Sequence, residues 1–212
     1  MNKNIISLWL IPKDAQLKPI SDQEIKWKNK LSYYQSKQYE HSRGYVREAL
    51  SKILEIPPLD IPIVSPPGSP PKLPPEMGHV SFSHCWDRLL IAWSSENIGV
   101  DIERSDRLFE AKKILNKFFA LSEKKFLKDL KDLQLHNEVL KLWVRKEAAI
   151  KWQKGSIFND LSQWTSKLGS DKIEHKDAGY NLRSFFLNYE DWYISVACNI
   201  YSEKENLIIC KY

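Results

Sequence analysis

Apolar and polar residues alternate without interruption along one short stretch, Asn97-Ile98-Gly99-Val100-Asp101-Ile102-Glu103. Ile98, Val100 and Ile102 point one way and Gly99, Asp101 and Glu103 the other, the period of two that marks a half-buried strand. Upstream, Ile5 to Leu10 reads as a buried first strand. Ser21 and Glu24 form a Ser-x-x-Glu capping pattern, which predicts a helix from about Asp22 with Ile25, Trp27, Leu31 and Tyr34 as its apolar contacts. Ser42 is expected to cap a second helix carrying Val46, Leu50, Ile53 and Leu54 on one stripe. Nine of the eleven prolines lie between Pro57 and Pro75. Such a stretch forms neither helix nor central strand, and reads as a stiff surface connection or a substrate-lining loop. Alternation resumes in His79-Val80-Ser81-Phe82-Ser83-His84, with Val80 and Phe82 facing a core. The apolar run Leu89 to Trp93 follows, and with the Asp101 strand these three suggest an antiparallel meander.

After Arg104 the spacing turns helical. Leu108, Ile114, Leu115, Phe118 and Phe119 precede Ser122, the expected cap of a helix holding Glu123, Phe126 and Leu130. Asn137 is expected to cap the longest helix, over residues 138–153, and Gly155 to end it. Short strands are predicted over 179–187, 192–200 and 207–210. The order strand, helices, strands, helices, strands points to an α+β protein of two similar halves, divided at residues 1–98 and 99–212.

The 212 residues suffice for one large domain or two small ones, and 42% hydrophobic with 28% charged residues is ordinary for a folded protein. A net charge of +5 suits a phosphate-bearing or acidic partner without choosing between nucleic acid, an acidic protein and a nucleotide. Cys85, Cys198 and Cys210 are odd in number and contain no Cys-x-x-Cys, which reads as reduced thiols in a cytoplasmic protein. The N-terminal apolar run is short and closed by Pro12, so a signal peptide is not expected. No segment approaches the roughly 20 apolar residues of a membrane span.

Chemistry concentrates in few places. Asp101 and Glu103 project to one side roughly 7 Å apart at the Cα atoms. Neighbouring carboxylates repel, and are kept cheaply when water, a lysine or a metal ion covers them. Gly99, lacking a side chain, admits a close backbone or ligand. The pattern suggests an Mg²⁺ site at this strand, to which the chain brings a phosphate-bearing substrate. On the long helix Trp143, Glu147 and Lys151 share a face. A Glu–Lys pair four residues apart is worth only a few tenths of a kcal/mol on an exposed helix, but beside Asp101-x-Glu103 it completes a set suited to Mg²⁺-assisted phosphate chemistry. Arg43 and Arg47 lie one turn apart, as ordinary surface charge or as a bidentate phosphate clamp. Lys72, in the proline-rich stretch, is a further phosphate contact to consider.

Gly99-Val100-Asp101-Ile102-Glu103, followed by Trp143-x-x-Lys146-Glu147-Ala148-x-x-Lys151, resembles the paired signature of the 4′-phosphopantetheinyl transferases. The likeness is to the two-domain type that modifies carrier proteins of fatty-acid, polyketide and nonribosomal peptide synthesis. Phe118 to Glu123 resembles the family's Phe-x-x-x-Glu segment, Ser81-Phe82-Ser83-His84 its Ser-x-Ser-His strand, and Arg43-x-x-x-Arg47 its early basic helix. The resemblance covers residues 40–152. It departs at Gly68-Ser69-Pro70-Pro71-Lys72, where the family carries Gly-Lys-Pro, and at Cys85, where serine is common.

The resemblance implies two α+β halves related by a pseudo-twofold, with the ligand site at their interface. It implies transfer of the phosphopantetheine arm of coenzyme A to a serine of an acyl or peptidyl carrier protein, releasing 3′,5′-adenosine bisphosphate. Asp101, Glu103 and Glu147 would hold Mg²⁺, Glu147 or a water it holds would take the serine proton, and Lys151 would offset charge on the transferred phosphate. Asp101 also counts among the cofactor-side contacts. Ser83, His84 and Arg47, with Arg43 and Lys72 as weaker contacts, would bind the coenzyme A nucleotide, and Glu123 would lie near the metal or brace its helix. The implied protein is a cytoplasmic monomer whose partner is an acidic carrier, with no nucleic acid and no membrane. The competing readings are a Mg²⁺-dependent phosphohydrolase or nuclease, and a basic nucleic-acid-binding module around Lys26, Trp27, Lys28, Lys30 and Tyr33.

Overall fold

A computed structural model describes residues 5–166, 169–199 and 201–210. It is a mixed α+β structure of six α-helices and two sheets among these residues. The chain divides into two compact units, 1–96 with 206–212, and 97–205.

In the first unit, β1 (Ile6–Pro12) is followed by α1 (Asp22–Lys28) and α2 (Tyr33–Leu54). β2 (His79–Cys85) and β3 (Arg88–Ser94) then form a hairpin. The sheet runs β2-β3-β1-β9, antiparallel except that β9 (Leu207–Ile209) pairs parallel with β1. The capping box of α1 is as the sequence predicts, Ser21 N donating to Glu24 Oε2 at 2.9 Å. Its packing is not: Ile25 is 41% exposed, Tyr34 belongs to α2 and is 84% exposed, and the buried residue of α1 is Glu24. Nor does Ser42 cap α2. The helix begins ten residues earlier at Ser32, and Ser42 lies buried inside it with its hydroxyl donating to the Tyr39 carbonyl at 2.9 Å. A serine satisfied by its own preceding turn needs no cap role. The Val46 and Leu50 stripe packs under the sheet with Trp9, Leu89 and Ile91.

The proline-rich segment shows why α2 carries buried arginines. Prolines lack N–H groups, so the loop has more acceptors than donors. Arg43 Nε donates to Ser65 O at 3.1 Å, and Arg47 Nη1 donates to Pro58 O at 3.0 Å and Ile61 O at 2.9 Å. Tyr39 adds a hydroxyl bond to Ser65 O at 3.0 Å.

In the second unit, β4 (Gly99–Arg104) is followed by α3 (Ala111–Phe118), α4 (Leu121–Leu127), α5 (Asp132–Gln153) and α6 (Ile157–Asp160). β5 (Trp164–Ser166), β6 (Lys172–His175), β7 (Asn181–Tyr189) and β8 (Trp192–Asn199) complete it. The sheet order is β4-β8-β7-β6-β5, antiparallel throughout. The meander expected of β2, β3 and β4 therefore stops at β3, because β4 pairs with β8 in a different sheet. Residue 200, the expected end of the 192–200 strand, lies outside the described residues. α5 starts before Asn137, and its left-handed C-terminal residue is Lys154 (φ 58°), whose N–H bonds the carbonyls of Ile150 and Lys151. Gly155 follows, its N–H reaching Ile150 O at 3.0 Å. α4 starts on Ala120, with Ser122 inside the first turn and Glu123 Oε2 accepting from Ala120 N at 3.0 Å.

β4 is buried on both faces rather than half-buried, Val100, Asp101 and Ile102 all being 2% exposed or less. Its polar face lies under α5. A Cβ built on Gly99 would fall inside the van der Waals envelopes of the Ala148 carbonyl and the Trp152 amide. Gly99 thus lets the helix backbone lie directly on the strand. Gly99→Ala is expected to lose about 1–3 kcal/mol in urea unfolding, because the obstruction is backbone and cannot rotate away. A loss under about 0.5 kcal/mol would show that α5 does not sit this close.

Candidate active site

α5 presents three faces to its surroundings. Leu140, Val144 and Ala148 meet the sheet beside Tyr193 and Ala197. Leu135, Val139 and Leu142 pack with Leu115, Phe119 and Leu127 of the helices before it. Glu147 and Lys151, four residues apart, run along the polar face of β4. Lys151 Nζ donates to Asp101 Oδ1 at 2.7 Å. Glu103, one pleat on, is ion-paired with Arg107. Arg107 is held in turn by its own carbonyl, which accepts from His136 Nε2 on α5 at 2.8 Å.

Glu147 registers the crowding. Burial pushes its carboxyl up to about 8, the Asp101 and Glu103 charges push the same way, and Lys151 and Arg107 pull it partly back. Two of the three acids thus carry a cation in this state, and the third retains its proton at neutral pH. Among the described residues no three His, Cys, Asp or Glu side chains converge closely enough to hold a metal ion. The donor set is nonetheless oxygen-only and mutually repelling, which is the chemistry a hard divalent cation relieves. A metal at this face would replace the work done by Lys151, Arg107 and the Glu147 proton.

The motif lysine next to Glu147 belongs elsewhere. Lys146 is fully buried, its Nζ donating to Glu123 Oε2 at 2.6 Å and Leu161 O at 3.2 Å. Glu123 also accepts from Ser166 N at 3.2 Å. Glu123 thus ties α4 to β5 directly through Ser166 N and to α5 through Lys146. Arg145 is likewise internal, its Nη2 bonding Ser170 O at 2.6 Å, and burial pushes it down to about 10.

The remaining residues singled out by sequence belong to the first unit. Arg43 and Arg47 are 5% and 3% exposed. Arg47 pairs with buried Glu24 at 2.7 Å, and the Arg43 guanidinium lies 4.4 Å from the Tyr39 ring centre and 4.6 Å from that of Phe82. These contacts and the loop carbonyls use both guanidinium groups internally, so neither is arranged as an open phosphate clamp. The main chain of Lys72 bridges to Val64 and its side chain is exposed. Ser83 is buried opposite Leu90. His84 lines a cavity of about 550 Å³ together with Lys13, Lys37, Arg88, Tyr34 and Trp86. The cations of this cavity come from three separate segments that no spacing rule unites, so no local sequence pattern reveals them.

Residues 97–206 match the family model described as the 4′-phosphopantetheinyl transferase superfamily. The chain belongs to that superfamily, and membership implies a phosphopantetheinyl transferase activity. No curated protein matches the chain. No helix among the described residues is long and apolar enough to cross a membrane.

Because the folded state keeps the Glu147 proton up to about 8 while an unfolded glutamate releases it near 4.5, unfolding releases a proton between those values. Stability then falls as pH rises through this window and levels off above 8. In EDTA, wild type is expected to lose up to about 1.4 kcal/mol per pH unit relative to Glu147→Gln between pH 5 and 8 in denaturant titrations. Parallel profiles for the two proteins would place Glu147 in ordinary solvent.

Proposed function

We propose that this protein transfers the 4′-phosphopantetheine arm of coenzyme A to a serine of an acyl or peptidyl carrier protein, in the presence of Mg²⁺. The observation that carries the reading is the trio Asp101, Glu103 and Glu147 beside Lys151, within the matched segment 97–206. Asp101, Glu103 and Glu147 would hold the ion. When bound, Mg²⁺ would neutralise the pyrophosphate and the charge developing on the departing phosphate.

The chain's own groups do the rest. Glu147 takes the proton of the carrier serine as its oxygen bonds to the phosphorus that bears the pantetheine. The bond from that phosphorus to the bridging oxygen breaks, and 3′,5′-adenosine bisphosphate leaves with the electron pair. Lys151, 30% exposed, reaches from Asp101 toward the transferred phosphate and offsets its charge. In the first unit, His84 with Lys13, Lys37 and Arg88 offers the nucleotide phosphates a basic lining. Ser83 and Lys72 would contact the nucleotide, while Arg43 and Arg47 act by holding the proline-rich loop. The net charge of +5 favours encounter with an acidic carrier, an attraction that fades with salt. The protein is taken to act in the cytoplasm as a monomer.

Mass spectrometry of an apo carrier protein incubated with the chain, coenzyme A and Mg²⁺ tests this. The expected product carries one phosphopantetheine on a serine. Asp101→Ala is expected to fold and to give no product, and Glu147→Gln to bind coenzyme A but turn over about 10²–10⁴-fold more slowly. Undiminished product from Asp101→Ala, or from wild type in EDTA, would overturn the reading.

A further inference from the structure

The β2–β3 hairpin closes on two residues, Trp86 and Asp87, between the paired Cys85 and Arg88. Two-residue hairpin turns need a left-handed backbone at one or both positions, and glycine or asparagine normally supplies it. Here the left-handed position is Trp86, at φ +51°. A bulky side chain is an outlier in that region. The indole gains little from packing to offset the strain, since Trp86 is 73% exposed. A strained backbone that presents a large aromatic ring to solvent is retained where the ring has something to meet.

Trp86 lines the cavity of about 550 Å³ that is also lined by His84, Lys13, Lys37 and Arg88. That volume suits a nucleotide-sized ligand. The lining combines a flat apolar surface with several cations, the pairing that a base with attached phosphates requires. Arg88 is steadied by Asp87, its Nη1 donating to Oδ2 at 2.9 Å, so the turn that lifts the indole also sets this guanidinium. Lys37 lies 4.6 Å from the centre of the Tyr33 ring at the same cavity.

We propose that Trp86 is the stacking platform for the adenine of coenzyme A, with the neighbouring cations taking the nucleotide phosphates. This rests on the coenzyme A reading above and adds to it the residue that receives the base. Stacking on an aromatic side chain is tolerant of substitution by another ring and intolerant of its loss.

Calorimetric titration with 3′,5′-adenosine bisphosphate, alongside thermal unfolding, separates this from a structural role. Trp86→Gly suits the left-handed turn, so its melting temperature is expected to equal or exceed that of wild type. Its affinity for the nucleotide is expected to fall about ten- to hundredfold, and Trp86→Phe to keep most of the wild-type affinity. Wild-type affinity in a folded Trp86→Gly would overturn the assignment while leaving the coenzyme A reading in place. Absence of nucleotide binding by wild type would bring down the coenzyme A reading itself, and the assignment with it.

Discussion

Everything distinctive about the second unit follows from how closely the backbone of α5 lies on β4. Gly99 removes the one side chain that would hold them apart, and Ala148 presents only a methyl group on the helix side. Close approach covers the polar face of the strand, and a covered carboxylate cannot be neutralised by water. Asp101 takes Lys151, Glu103 takes Arg107, and Glu147 keeps its proton. The unit thus holds three acids that are stable only while something positive accompanies them. Under the proposed function, a divalent cation arriving with the pyrophosphate of the substrate would supply that charge.

The first unit solves a different problem with the same means. A loop carrying nine prolines cannot satisfy its own carbonyls. α2 supplies the missing donors from Arg43 and Arg47, and Glu24 of α1 balances the second guanidinium. Both arginines are therefore explained by the loop they hold. What faces solvent is a separate group of cations around His84 and Trp86.

The sequence made some of this legible and hid the rest for identifiable reasons. Asp101, Glu103, Glu147 and Lys151 were readable because periods of two and of four assign faces without knowledge of the partner. The α+β class followed from the order of such segments. Burial of the acidic face was not readable, since alternation reports two faces and not what covers each. Ser42 and Asn137 have the chemistry of caps, yet α2 and α5 each continue upstream of them. The Lys146–Glu123 and Arg47–Glu24 pairs span 23 residues each, beyond any local pattern. The strands β5 and β6, three and four residues long, are too short to show a period.

The ionisation of Glu147 reports this arrangement most directly. Its side-chain carbonyl carbon can be followed by nuclear magnetic resonance against pH, once in EDTA and once in saturating Mg²⁺. The expected midpoint is about 8 without metal and falls toward or below the ordinary carboxylate range with it. A midpoint near 4.5 in both solutions would contradict the arrangement, since Glu147 would then neither feel Asp101 and Glu103 nor share an ion with them.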